Sequence, residues 1–150
     1  RPDGMVDPGY LGCLISNHEV SAVTAACMLV RRDVFETIGG FDVDLAVGFG
    51  DVDLCLRTHK ASYRVIQCAG ANLIHHESYT RGKGHSSDPH PKDTDNFKSR
   101  WHLFIEAGDP YYNPNFDPNS SEWQVRQQLI FNPKVRRRVF NPPAEMHVRS

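Results

Sequence analysis

Apolar and polar positions along the chain fall into distinct rhythms. Residues 1–19 carry Gly, Pro, Asp and Asn at short intervals, which predicts a loop-rich lead-in with a short strand near Leu11 to Ile15. VSAVTAACMLVRR, residues 20–32, is a continuous small-and-apolar run. It fits a strand buried on both faces, with a helix as the competing reading. In RRDVFETIGGF, Val34, Phe35 and Ile38 return at helical spacing, and Gly39 supplies a left-handed residue just past the helix end. Asp51 to Lys60 predicts a second helix, with carboxylates at the positive end of its dipole and Leu54 and Leu56 turned inward. SYRVIQC (62–68) and ANLIHHES (71–78) have strand character.

Periodicity then stops. Residues 79–92 mix Gly, Ser, Pro, His and Lys and predict a mobile loop. It resumes in DTDNFKSRWHLFIEAGDP, where Asp93 or Asp95 would cap a helix, Phe97, Trp101, Phe104 and Ile105 would share one face, and Gly108 with Pro110 would stop it. Residues 111–119 predict a Pro/Asn-rich turn, and 121–131 a further helix. Strands alternating with helices place the chain in the α/β class.

Composition narrows the function classes. The 150 residues are 39% hydrophobic and 23% charged, with a formal net charge of −1, which suits one globular unit with a core. That balance argues against nucleic acid as a partner, and the basic run Arg136 to Arg138 reads as a solvated face. No apolar run reaches the ~20 residues of a membrane-spanning helix. Cys13, Cys27, Cys55 and Cys68 are too scattered for a zinc knuckle and read as small buried thiols of a reducing, cytoplasmic compartment.

The acidic residues Asp42, Asp44, Asp51 and Asp53 are interleaved with Phe41, Leu45, Phe49 and Leu54, positions that look destined for a core. With its flanks, VTAACMLVRRDVFETIGGFDVDL, GFGDVDLCLR and NLIHHES, this stretch resembles the second half of the catalytic domain of family 2 glycosyltransferases, inverting enzymes of the A-type nucleotide-sugar fold. GDPYYNPNF also resembles members that build polysaccharides. The resemblance spans residues 20–118 and implies the acceptor-side half of such a domain. It implies a mixed sheet with flanking helices, the nucleotide-binding N-terminal half being absent, and a C-terminal helix and tail over 119–150. Such a segment is expected to be inactive alone and to reach a membrane only through other parts of its parent protein.

By the same resemblance, Asp51 is the general base that takes the proton of an attacking hydroxyl. Gly40, Phe41, Asp42 and Asp53 fall at the acceptor, and Gly39 and Gly40 would let backbone approach a sugar closely. The i,i+4 spacing of Asp53 and Arg57 also fits an ordinary helix ion pair. Val43 and Gly50 stand where the family has Glu, which removes two possible acceptor contacts. Neither Asp42-Val43-Asp44 nor Asp51-Val52-Asp53 fits the family's metal-binding Asp-x-Asp, which belongs upstream.

Further along stand His75 and His76, of which His75 matches the family's histidine by position. They would complete a divalent cation, Mn²⁺ or Mg²⁺, shared with that upstream motif. Glu77 and Ser78 would steady the ring, and Arg81 would neutralise the leaving diphosphate. His85, His90 and His102 read as incidental, with His85 and His90 on a loop able to act as a lid. Trp101 and Phe104 read as core, while Tyr111 and Tyr112 are open to a sugar-stacking role. The partners implied are a nucleotide-sugar donor and a glycan or lipid-linked acceptor. The alternative is a non-catalytic module that dimerises through open sheet edges or binds glycan.

Overall fold

The computed structural model describes residues 8–74, 90–117, 119–120 and 123–128. Helix α1 spans Arg32–Thr37 and carries Asp33 in its first turn. Its end is set by the two glycines. Gly39 (φ 82°) donates its N–H to the Glu36 carbonyl at 3.1 Å and Gly40 (φ 67°) to the Phe35 carbonyl at 2.8 Å, the paired bonds of a Schellman cap. Helix α2 spans Gly50–Lys60, with Asp51 and Asp53 in its first turn and Arg57, His59 and Lys60 in its last, so its side chains complement the helix dipole at both ends. The residue before it, Phe49, sits at φ 62°, a left-handed conformation uncommon for an aromatic, and its ring stacks on Phe97 at 4.7 Å. Helix α3 spans Pro91–Ala107 and stops at Gly108 (φ 78°).

The only sheet among the described residues pairs β1 (His18–Glu19) antiparallel with β2 (Ile66–Gln67), with His18 opposite Gln67 and Glu19 opposite Ile66. Val20 extends the pairing by donating to the Val65 carbonyl at 3.0 Å. The core lies between α2, α3 and the loop joining α1 to α2. Leu45, Leu56, Phe97 and Trp101 form it, with Val52 and Phe104 packed against them. Among the described residues, no helix is long and apolar enough to cross a membrane.

Several expectations change. The expected mixed sheet is, among the described residues, a two-stranded antiparallel ribbon. Its two-residue strands leave little edge for a second copy of the chain. The run 20–32 is not a buried strand. It is extended at Thr24, Met28 and Arg31, broken by a 3-10 turn at Ala25–Cys27, and Leu29 is fully exposed at 101%. A strand needs a ladder partner for its N–H and C=O groups. Here the Thr24 hydroxyl takes the Ala26 N–H at 3.2 Å, and a carboxylate takes the Ala25 N–H, so local and side-chain acceptors replace a neighbouring strand.

Similarly, Tyr10–Gly12 forms a 3-10 turn where a strand near Leu11 was expected, because Gly9, Leu11 and Gly12 all sit at positive φ. Residues 71–74 form no strand, and 75–78 lie outside the described residues. Instead of joining a helix over 121–131, Val125 bridges antiparallel to Phe116. On α3 the expected helical face holds for Phe97 and Trp101, whereas Ile105 is half exposed.

Candidate active site

Asp51 sits in the first turn of α2, part-exposed, with each carboxylate oxygen holding one backbone N–H. Oδ1 accepts from Val52 at 2.9 Å and Oδ2 from Ala25 at 3.0 Å, so the carboxylate also anchors the 3-10 turn of the extended segment. Ala25 also belongs to the lining of an open depression of about 530 Å³, together with Met28, Val30, Phe35 and Phe41 and with Arg32 and Glu36 contributing charge; Asp51 itself is not part of that lining. Phe41 is half exposed, and its ring meets Phe35 edge to face at 5.8 Å. The same neighbourhood shows why glycine stands at position 50. A Cβ there would lie 3.3 Å from the Leu45 carbonyl, closer than ordinary contact, and 3.8 Å from the Phe41 ring.

Asp42 is the second part-exposed carboxylate of this region. Oδ1 takes the Asp44 N–H at 2.8 Å and Oδ2 pairs with Arg100 Nη1 at 2.7 Å. The Asp44 amide first, and the Arg100 guanidinium next, hold its carboxyl below the usual range. Gly40, expected to offer open backbone to a sugar, is buried instead. Its carbonyl accepts from Arg57 Nη2 at 2.6 Å, and a Cβ would strike the Phe35 ring at 3.1 Å.

Asp53 is buried as well. The side chain has no exposed surface and receives three donors: Arg57 Nε at 2.7 Å, Arg100 Nη1 at 3.0 Å and Trp101 Nε1 at 2.9 Å. Burial pushes its pKa up, and these donors outweigh burial and bring it below the ordinary carboxylate value. The i,i+4 pair with Arg57 is formed. Arg57 also donates from Nη1 to the Ile38 carbonyl at 2.5 Å, so one guanidinium ties the turn that follows α1 to α2. Carboxylates thus lie among core residues for two reasons: Asp53 is the acceptor of a buried clamp, and Asp51 is held at its edge.

Sequence reading missed Arg100 and the role of Asp93. Asp93 does not cap its own helix; its Oδ2 accepts the Val47 N–H at 2.9 Å and the Gly48 N–H at 2.7 Å, and those two amides hold its pKa down. Trp101 offered a signal, since a buried indole N–H needs an acceptor. Arg100 offered none, because its partners lie 47 and more residues away.

The aromatic pair after Gly108 is used internally. Tyr111 donates its hydroxyl to Glu19 Oε1 at 2.7 Å and stacks on His59 at 5.8 Å; partial burial and the Glu19 carboxylate push its pKa up to about 12. Tyr112 packs edge to face on Phe116 at 5.8 Å and stacks on Trp123 at 6.1 Å. His75, His76, Glu77, Ser78, Arg81 and His85 lie outside the described residues. His90 precedes α3 directly, and His102 is exposed with Nδ1 against the Ser99 carbonyl at 3.0 Å. Among the described residues no group of His, Cys, Asp and Glu is placed to hold a metal ion, so these side chains alone do not form the expected cation site.

No family model matches the chain, and neither does any solved structure. Among curated proteins it is 39% identical to the uncharacterized protein y4gI of Sinorhizobium fredii, over 81% of this chain and 14% of that protein. It is 36% identical to the O-antigen biosynthesis protein RfbC of Myxococcus xanthus, over 71% of this chain and 8% of that protein. It is 33% identical to the N-acetylglucosaminyl-diphospho-decaprenol L-rhamnosyltransferase of Mycobacterium tuberculosis, over 48% of this chain and 24% of that enzyme. The chain therefore spans between 8% and 24% of the length of these relatives. Over the 72 residues matched to the Mycobacterium tuberculosis enzyme, the chain is similar to part of a glycosyltransferase.

Proposed function

We propose that this chain supplies the acceptor-side part of an inverting glycosyltransferase that moves a sugar from a nucleotide-sugar donor to a hydroxyl of a glycan or lipid-linked acceptor. The observation that carries the reading is Asp51, a part-exposed carboxylate fixed by two backbone amides, one of them that of Ala25 in the lining of an open depression. The likeness to a rhamnosyltransferase and to an O-antigen biosynthesis protein supports the same reaction class.

In this reading the acceptor oxygen attacks the anomeric carbon as the bond from that carbon to the nucleoside diphosphate breaks. The diphosphate departs with the bonding pair, and the acceptor proton passes to Asp51. Two amide donors leave each Asp51 oxygen with a lone pair for that proton. Asp42, also part-exposed, offers remaining lone pairs to a second acceptor hydroxyl, and the half-exposed Phe41 ring offers a face to a sugar. A divalent cation would neutralise the leaving diphosphate; its ligands are proposed at His75 and His76, and Arg81 is proposed to add a further positive charge toward the diphosphate.

The test is Asp51→Asn in the intact protein, assayed with nucleotide-activated L-rhamnose and N-acetylglucosaminyl-diphospho-decaprenol as first substrates. Transfer is expected to fall by about 10²–10⁴-fold with donor affinity unchanged. Equal loss of donor binding would make Asp51 a structural carboxylate.

A further inference from the structure

Helix α3 grips the loop between Gly40 and α2 at three points, all from polar residues at positions i, i+3 and i+7. Asp93 accepts the Val47 and Gly48 amides at 2.9 and 2.7 Å. Asn96 donates from Nδ2 to the Asp44 carbonyl at 3.1 Å. Arg100 places a single nitrogen, Nη1, between Asp42 Oδ2 at 2.7 Å and Asp53 Oδ1 at 3.0 Å. At 100° per residue these positions share one face of α3. Interleaved on the adjoining stripe, Phe97 and Trp101 pack with Leu45 of the same loop.

The arrangement is more than a core needs. Leu45 anchors the loop through apolar contact, and that contact is non-directional; it leaves the loop free to slide on the helix. Hydrogen bonds to Val47 N, Gly48 N and the Asp44 carbonyl fix register, and the shared Arg100 nitrogen sets the Asp42 carboxylate against the immobile, fully buried Asp53. The loop enters α2 one residue before Asp51, so its register also sets where that carboxylate stands.

We propose that Asp93, Asn96 and Arg100 of α3 are positioning residues that set the 41–49 loop, and through it Asp42 and Asp51, for an incoming acceptor. The inference rests on the transferase reading for its substrate and on geometry alone for the grip. Reaction geometry is sensitive to small displacements: a misplacement of about 1 Å can lower a rate by about a hundredfold.

Two measurements test it. In the intact protein, Arg100→Lys keeps a cation, but its shorter stem draws the nitrogen back from the point where Nη1 meets both carboxylates, and Asn96→Ala removes one half-exposed contact without touching the core. Each is expected to raise the acceptor KM about three- to tenfold, leaving donor KM and melting temperature unchanged. Donor and acceptor constants moving together, or a fall in melting temperature with the acceptor KM unmoved, would overturn the positioning role. Separately, Asp93→Ala should abolish hydrogen-exchange protection of Val47 and Gly48 while the amides of α2 stay protected. Unchanged protection would show that α3 does not hold the loop. Absence of transfer by the unaltered protein, combined with loss of protection in Asp93→Ala, would sink the transferase reading and its acceptor role while leaving the grip in place.

Discussion

The run from Val20 to Val30 and the helix from Gly50 to Lys60 invite comparison, because the more apolar of the two is the less buried. Helix α2 carries two aspartates, an arginine and a histidine, yet it buries Leu54, Cys55, Leu56, His59 and Asp53 almost completely. The run carries scarcely a charge before Arg31, yet Thr24 to Cys27 are exposed and Leu29 has no cover at all. Apolar character supplies a tendency to leave water, but burial needs an opposing surface. Helix α2 has one in α3, where Phe97 and Trp101 meet Leu56, and it satisfies its buried charges with donors counted against acceptors. Among the described residues, only Val20 at its start continues the strand pairing, through Val65, and the exposed stretch from Thr24 to Cys27 has neither such a surface nor a strand beside it.

Breaking the better-packed side should have the largest effect. Asp53→Ala strands Arg57, Arg100 and the Trp101 indole around a missing acceptor, and unfolding in urea should show a loss of about 3–5 kcal/mol. A loss under about 1 kcal/mol would mean that the clamp is incidental to folding. Acid titrates the same side of the comparison. Asp53, Asp42 and Asp93 all have folded pKa values below their unfolded ones, so the folded state binds fewer protons. Their contribution is complete above the unfolded carboxylate value of about 3.9 and disappears as pH falls through the folded values. The urea midpoint should therefore drop progressively below about pH 5, and an Asp53→Asn variant should show a shallower drop. The smallest effect belongs to the exposed run. Leu29→Ser should change stability by no more than about 0.5 kcal/mol, and a larger loss would reveal a surface that covers Leu29 in solution.

The same contrast separates what could be read in the sequence from what could not. Helix α1 with Gly39 just past its end and helix α2 with its Asp53–Arg57 pair were legible because the deciding interactions lie within four residues of one another. The core side of α3 was legible from the spacing of Phe97 and Trp101. The apolar pattern at 20–32 was legible only as a tendency, and its strand depended on neighbours elsewhere in space. Asp93 and Arg100 were misjudged or missed for the complementary reason: their partners, Val47, Gly48, Asp42 and Asp53, sit more than 40 residues away. Gly40 was assigned to a sugar because glycine permits close approach; the approaching group is the ring of Phe35.

Two aspartates of one helical turn thus divide their tasks: Asp53 holds the fold, and Asp51 is proposed for proton transfer. The most direct measurement takes transfer rate and urea midpoint together on Asp51→Asn in the intact protein. A rate lowered by about 10²–10⁴-fold at an essentially unchanged midpoint is expected. A collapsed midpoint with proportionate loss of activity, or undiminished transfer, would contradict it.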